Sequence, residues 1–332
     1  MTALSTRGRI VIAALATVVL AAGAVGYIRI AAAKEPVPVA SSHVTLSPGP
    51  RLLVSTGRHL AVIDSGTGVR TVSALECVRV YAAAGTGSCL RPQSPWAYEL
   101  VVLDADLREQ RVIPLPGLPN RTRVSASGRM VAWTTFVGGD SYNSGGFSTR
   151  TGILDTRTGA LTSTLEGFAV TIDGRPHRAA DVNFWGVTFT ADDNRFYATL
   201  ATGGKRYLVE GDLAARTLRT LTENVECPSL SPDGTRIAFK HAVDGDPTKG
   251  WRLSVLDLAS MRVTPLAEPA SVDDQPAWLD DATIAYTLRG SSGDPNVFSV
   301  PADGSGAPTL LAADAESPAT LSPTPLQDRR NS

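Results

Sequence analysis

One unit recurs along this chain and restricts its fold more than any other feature: a tight polar turn running into a short apolar strand. Its clearest copy is Ser231-Pro232-Asp233-Gly234-Thr235-Arg236-Ile237-Ala238-Phe239-Lys240. Pro232 presets φ for the first corner of a type I turn, Asp233 suits the second, and Gly234 supplies the positive φ of the bulge that follows. Ile237 and Phe239 then share one face of a strand, and Ala238 takes the other. Weaker copies lie at 47–54, 125–133, 190–198 and 279–286, with a degenerate one at 81–90 around Gly85.

A second marker runs alongside the first. Apolar strands end in Asp at positions 64, 104, 155, 212 and 257, and a sixth ends in Pro301, at intervals of 40, 51, 57, 45 and 44 residues. Each leads into a polar turn and another short strand. Repeats of ~40–50 residues with four strands apiece describe an all-β, six-bladed β-propeller of four-stranded blades over residues 44–321. One blade cannot cover both of its faces, so the blades must stack and the ring must close. The segment Glu316-Ser317-Pro318-Ala319-Thr320-Leu321 echoes Glu226-Cys227-Pro228-Ser229-Leu230. It is expected to pair into the first blade.

Ahead of the repeats, Arg7 and Arg9 precede a charge-free apolar run over residues 10–28. Residues 1–33 therefore read as a transmembrane anchor or signal segment. The run is longer than most signal-peptide cores, which favours a single-pass anchor with the propeller outside the cytoplasm. The alternative is a secreted protein cleaved after Ala33. Residues 34–43, with Pro36 and Pro38, read as a linker, and residues 322–332 as a disordered tail.

Export permits disulfides. Of the three cysteines, Cys77 and Cys89 flank a strand and a glycine turn. They are expected to bond as facing positions across a hairpin centred near Ala83, leaving Cys227 as a buried apolar residue. A net charge of -1 argues against nucleic-acid binding. No zinc, haem or dithiol spacing occurs, no two of the four histidines stand at helical ligand spacing, and neither a G-x-S-x-G elbow nor a phosphate loop is present. No catalytic residue, metal or other cofactor is assigned. The acidic pairs read as turn residues and the five tryptophans as packing between blades.

Two insertions lengthen the second and third intervals: the loop at 138–150, and the segment 168–183 with its own turn at Ile172-Asp173-Gly174-Arg175. Long insertions in a compact ring carry function more often than not; the alternative is a cover for an apolar rim. Asp273 and Asp274 stand in the loop leading to Pro276. With Asp140 and Tyr142 of the 138–150 loop, they are the candidate ligand-binding residues.

Pro228 followed by Ser231-Pro232-Asp233-Gly234 and the strand Ile237-Ala238-Phe239 resembles the repeat of TolB-like propellers. Gln275-Pro276-Ala277-Trp278-Leu279-Asp280-Asp281 followed by Ile284-Ala285-Tyr286 is similar. The resemblance covers residues 44–321, most clearly the fifth and sixth units. It implies a six-bladed fold and a non-enzymatic binding or scaffold role outside the cytoplasmic membrane, with a protein, peptide or envelope component as partner. The membrane itself is met through the N-terminal helix, and the protein is expected to be a monomer. The alternative is a metal-dependent lactonase- or hydrolase-like enzyme with its site in the central channel.

Overall fold

The Ser231 turn forms as its residues require. Gly234 N–H donates to Ser231 O, Ser231 N–H to Arg236 O, and Gly234 takes φ 71°. The strand it launches is buried on both sides: Ile237 and Phe239 join a cluster with Tyr197 and Leu208, while Ala238 joins one with Tyr286 and Ile284. Alternate side chains thus enter different interfaces. The computed structural model describes residues 43–94, 97–138, 148–291 and 293–322, together with Thr17 and Leu20. The rest of the N-terminal run, Asp140, Tyr142 and all but Ser322 of the expected tail lie outside these residues. Among the described residues no helix is long and apolar enough to cross a membrane.

Blade one contains β1 (Arg51–Thr56), β2 (His59–Asp64) and β3 (Arg70–Glu76). Blade two contains β4 (Arg79–Ala83), β5 (Thr86–Ser94), β6 (Ala97–Leu103) and β7 (Glu109–Leu115). Blade three follows with β8 (Leu118–Val124), β9 (Met130–Val137), β10 (Ser148–Asp155) and β11 (Leu161–Thr162). Blade four holds β12 (Ala169–Ile172), β13 (Arg175–His177), β14 (Asn183–Phe189), β15 (Arg195–Thr202), β16 (Lys205–Asp212) and β17 (Thr217–Glu223). Blade five has β18 (Glu226–Leu230), β19 (Arg236–Ala242), β20 (Trp251–Asp257) and β21 (Val263–Pro265). Blade six has β22 (Ala277–Trp278), β23 (Thr283–Arg289), β24 (Pro295–Pro301) and β25 (Thr309–Ala312). The last strand, β26 (Glu316–Thr320), pairs antiparallel with β1 and completes blade one. The innermost strands adjoin one another in the order β26, β4, β8, β14, β18, β22 and back to β26, so the ring closes.

The recurring Asp has a local cause. Asp64, Asp104, Asp155, Asp212 and Asp257 each accept backbone N–H groups two to four residues ahead, which closes the turn after the third strand. Blade four departs from the four-stranded pattern. The 168–183 insertion forms the hairpin β12–β13, which extends the sheet by pairing β12 parallel to β17. It covers an apolar rim: Leu165, Phe168 and Val170 are buried against Phe196 and Leu218.

Cys77 and Cys89 are bonded, with Cα atoms 5.4 Å apart. The register differs from the expected one. Cys89 faces Val80 across a hairpin that turns at Ala84-Gly85, and Cys77 lies before β4, in the crossing from blade one. An irregular segment can present a thiol to a strand in the geometry a disulfide needs. Cys227 is free and buried. Trp133 and Trp278 are buried between blades, Trp185 is buried within β14, and the Trp133 ring lies against Gly152, where even a Cβ would fall 2.3 Å from it.

Candidate functional site

The strands nearest the axis carry the polar residues of interest, and their backbones are not regular. In β14, β18 and β26 the ladder slips at Gly186, Cys227 and Ser317, which take φ 68°, 51° and 58°. Gly186 is confined to glycine because a Cβ there would meet Cys227 Cα at 2.7 Å. Such bulges re-aim neighbouring side chains. Glu226 and Glu316 immediately precede two of them, and Asp274 stands in the same place relative to Pro276. Three blades therefore bring a carboxylate to one end of the channel, while β4 and β8 bring Arg79, Arg121 and Arg123.

These groups pair in two sets. Lys240 is buried between Glu226, 3.5 Å away, and Asp273, to which it donates a hydrogen bond. Arg206 reaches Glu226 at 2.5 Å. The Lys240 ammonium also sits 4.1 Å from the centre of the Trp251 ring, a cation–π contact. Partial loss of hydration against the channel wall opposes the charge on Asp273, but Lys240 above all, then Arg121 and Arg79, holds its carboxyl below the usual carboxylate range. Burial pushes Glu226 the other way in spite of Lys240 and Arg206.

The second set crosses the axis. Arg79 Nη1 donates to Glu316 Oε2 at 2.6 Å, and Arg289 Nη2 shares that oxygen at 3.0 Å. Arg121 Nη2 donates to Asp273 O at 3.3 Å and lies 3.6 Å from Asp274 Oδ1. Arg123 Nη2 donates to Pro276 O at 3.1 Å, with its guanidinium 4.3 Å from the Tyr81 ring centre. Blades three and six are thus tied directly across the ring, leaving a cavity of about 30 Å³ between them. A wider groove of about 480 Å³ lies away from the axis, beside Tyr197, Leu258 and Met261.

The two expected acidic candidates part company here. Asp273 has 70% of its side chain exposed. Asp274 is buried, and its Oδ2 accepts the Thr287 N–H at 3.1 Å. The loop that holds them is fastened to blade five, because Trp251 N–H donates to Ser271 Oγ and Val272 N–H to Trp251 O. The loop at 243–250, with turns of 3₁₀ helix at Val243–Gly245 and Pro247–Lys249, projects beside it. Among the described residues, no group of three His, Cys, Asp or Glu side chains is placed to hold a metal ion. The carboxylates that converge on the channel are instead engaged by Arg and Lys.

Sequence reasoning did not single out Lys240, Glu226, Glu316 or the channel arginines. A usable signal was present in the recurring acidic-x-Pro of Glu226-Cys227-Pro228, Asp274-Gln275-Pro276 and Glu316-Ser317-Pro318.

No protein-family profile matches the chain. A stretch of 77 residues is 35% identical to a TolB homologue of Chlorobium luteolum; it makes up 23% of this chain and only 16% of that relative. The structure is similar to that of TolB from Acinetobacter baumannii, with a TM-score of 0.62 at 16% identity, over 82% of this chain and 67% of that one. It is also similar to a chain of the nidogen/laminin complex, with a TM-score of 0.53 at 11% identity, over 82% of this chain and 98% of the other. The fold is that of a TolB-like six-bladed β-propeller.

Proposed function

We propose that this chain is a non-enzymatic, extracytoplasmic binding protein. A propeller tethered to the cell membrane by its N-terminal segment holds a protein, peptide or envelope component at the charged mouth of its channel. The observation that carries this reading is the convergence of ionic side chains from several blades on one mouth, with the Asp273 carboxylate open to solvent beside buried Lys240. A ring of fixed charges with paired interiors and one exposed carboxylate suits recognition of a polar partner. The disulfide supports an oxidising compartment, and the apolar run at 10–28 supports the tether. The likeness to a chain of the nidogen/laminin complex adds a propeller seen in a protein assembly.

The test places a photocrosslinking residue at exposed Thr248 in the 243–250 loop and, separately, at exposed Arg175 on the outer hairpin. Crosslinking is then done in the native envelope. A partner captured from position 248, absent from 175, and lost when D273K is added to the protein crosslinked at 248 is the expected result. Equal capture at both positions, or capture that D273K leaves unchanged, overturns the reading.

A further inference from the structure

The charges around the channel do not balance evenly. In one set, Lys240 and Arg206 face Glu226 and Asp273, two cations against two anions. In the other, the buried Arg79, Arg121 and Arg123 face Asp274 and Glu316, while Arg289, which shares Glu316, is half-exposed and keeps its hydration. The unmatched cation is Arg123. It is 5% exposed, and among the described residues no carboxylate forms an ion pair with it. Its contacts are the Pro276 carbonyl and the face of Tyr81. A guanidinium does not shed its proton to escape burial, so an uncompensated one is costly.

A second observation points into the same space. The Nε atoms of Arg121 and Arg123 are buried without a hydrogen-bond partner. Both residues line the cavity of about 30 Å³, together with Arg79, Tyr81, Asp274 and Ser317. Since ~10–15 Å³ suffices for a water, the space admits a small guest. It has buried donors without acceptors and is one negative charge short.

We propose that this cavity is a binding site for a single monovalent anion of halide size, chloride in an extracytoplasmic fluid, held by the Nε–H groups of Arg121 and Arg123. The anion completes the charge balance and locks blade three to blade six across the ring. The same chemistry could be met by a carboxylate carried in on a peptide, so the experiment separates the two sources. The site requires no partner at Asp273, and its success or failure is independent of the binding role proposed above.

The test uses the full chain in detergent, unfolded by heat at constant ionic strength in gluconate, chloride, bromide or acetate. Stabilisation by a ligand of the native state grows with its concentration relative to Kd. Tm is expected to rise with chloride and bromide relative to gluconate. The dependence disappears in R123Q and persists in R108Q, whose side chain is exposed and outside the cavity lining. Crystals grown in bromide are expected to show an anomalous peak between the channel arginines, which also decides the matter if R123Q fails to fold. A wild-type Tm identical in chloride and gluconate overturns the proposal. So does a bromide peak without any Tm dependence, which marks an adventitious ion only. A shift with acetate and none with chloride overturns the halide and assigns the site to a peptide carboxylate.

Discussion

Asp233 shows how one side chain sets a turn. Its Oδ1 accepts from Ser231 Oγ, Thr235 N and Thr235 Oγ1, and its Oδ2 faces Arg236 Nη2 at 3.0 Å. Burial raises the pKa of this carboxyl, but the hydrogen bonds outweigh it and hold the value at about 2. A carboxyl depressed on folding stabilises the native state above its unfolded pKa of ~3.9, and that contribution is lost as pH falls through about 2. Discounted for solvent screening at the surface, it amounts to about 1 kcal/mol. Urea unfolding at pH 6, 4 and 2.5 is expected to show wild type losing this increment in acid, with D233N weaker at pH 6 and less sensitive to acid. Parallel losses in both proteins would show that the turn hydrogen bonds are not the cause. At the same scale, Asp273 and Asp274 are neighbours in sequence with opposite surroundings. One is open to solvent and the other ties Thr287 and Arg121 together.

Among the elements, the hairpin β12–β13 is the largest departure from the repeat. Its reason is apolar area. Phe168, just ahead of it, packs edge-on against Phe196 with ring centres 6.4 Å apart, and the Arg216 guanidinium covers its face at 4.6 Å. Truncating such a residue leaves a cavity that the close-packed rim cannot refill. F168A is therefore expected to lower stability by about 3 kcal/mol, while R175E at the exposed tip changes it by less than about 0.5 kcal/mol. Chemical unfolding of both variants measures this. A small effect of F168A would show that the insertion is not a cover for blade four.

At the scale of the whole molecule, stability rests on closure. β26 supplies the innermost strand of blade one, and Glu316 on it receives both Arg79 from blade two and Arg289 from blade six. Ending the chain at Ala315 removes that strand, exposes the inner edge of β1 and leaves Arg79 without its carboxylate. Because each blade is covered by its neighbours, the loss spreads around the ring. The truncated protein is expected to lose its single cooperative thermal transition and to aggregate, as read by circular dichroism and size-exclusion chromatography. A sharp transition near the wild-type Tm would show that the ring holds without closure.

Much of this architecture is local and so was readable in advance. The Pro-Asp-Gly turns, the terminal Asp of the third strands and the short apolar runs are set by backbone preferences of adjacent residues, and their spacing counts the blades. The echo between Glu316-Ser317-Pro318 and Glu226-Cys227-Pro228 located the closing strand for the same reason. The proximity of Cys77 and Cys89 was also legible, though not the register, which depends on where β4 begins after the crossing between blades. The parallel docking of β12 on β17 was not, because it is decided by the rim that blade four leaves uncovered. Nor was the channel site. Arg121 and Asp274 are 153 residues apart in the sequence and meet only because opposite blades face one another across the axis. Charged residues on short strands read as solvent-facing when taken singly. By itself, then, the amino-acid sequence determined the blades, their number and their closure, because these follow from short-range backbone chemistry repeated. The tertiary structure alone decided which charges meet at the centre, because only a closed ring turns the inner edges of six sheets toward one another.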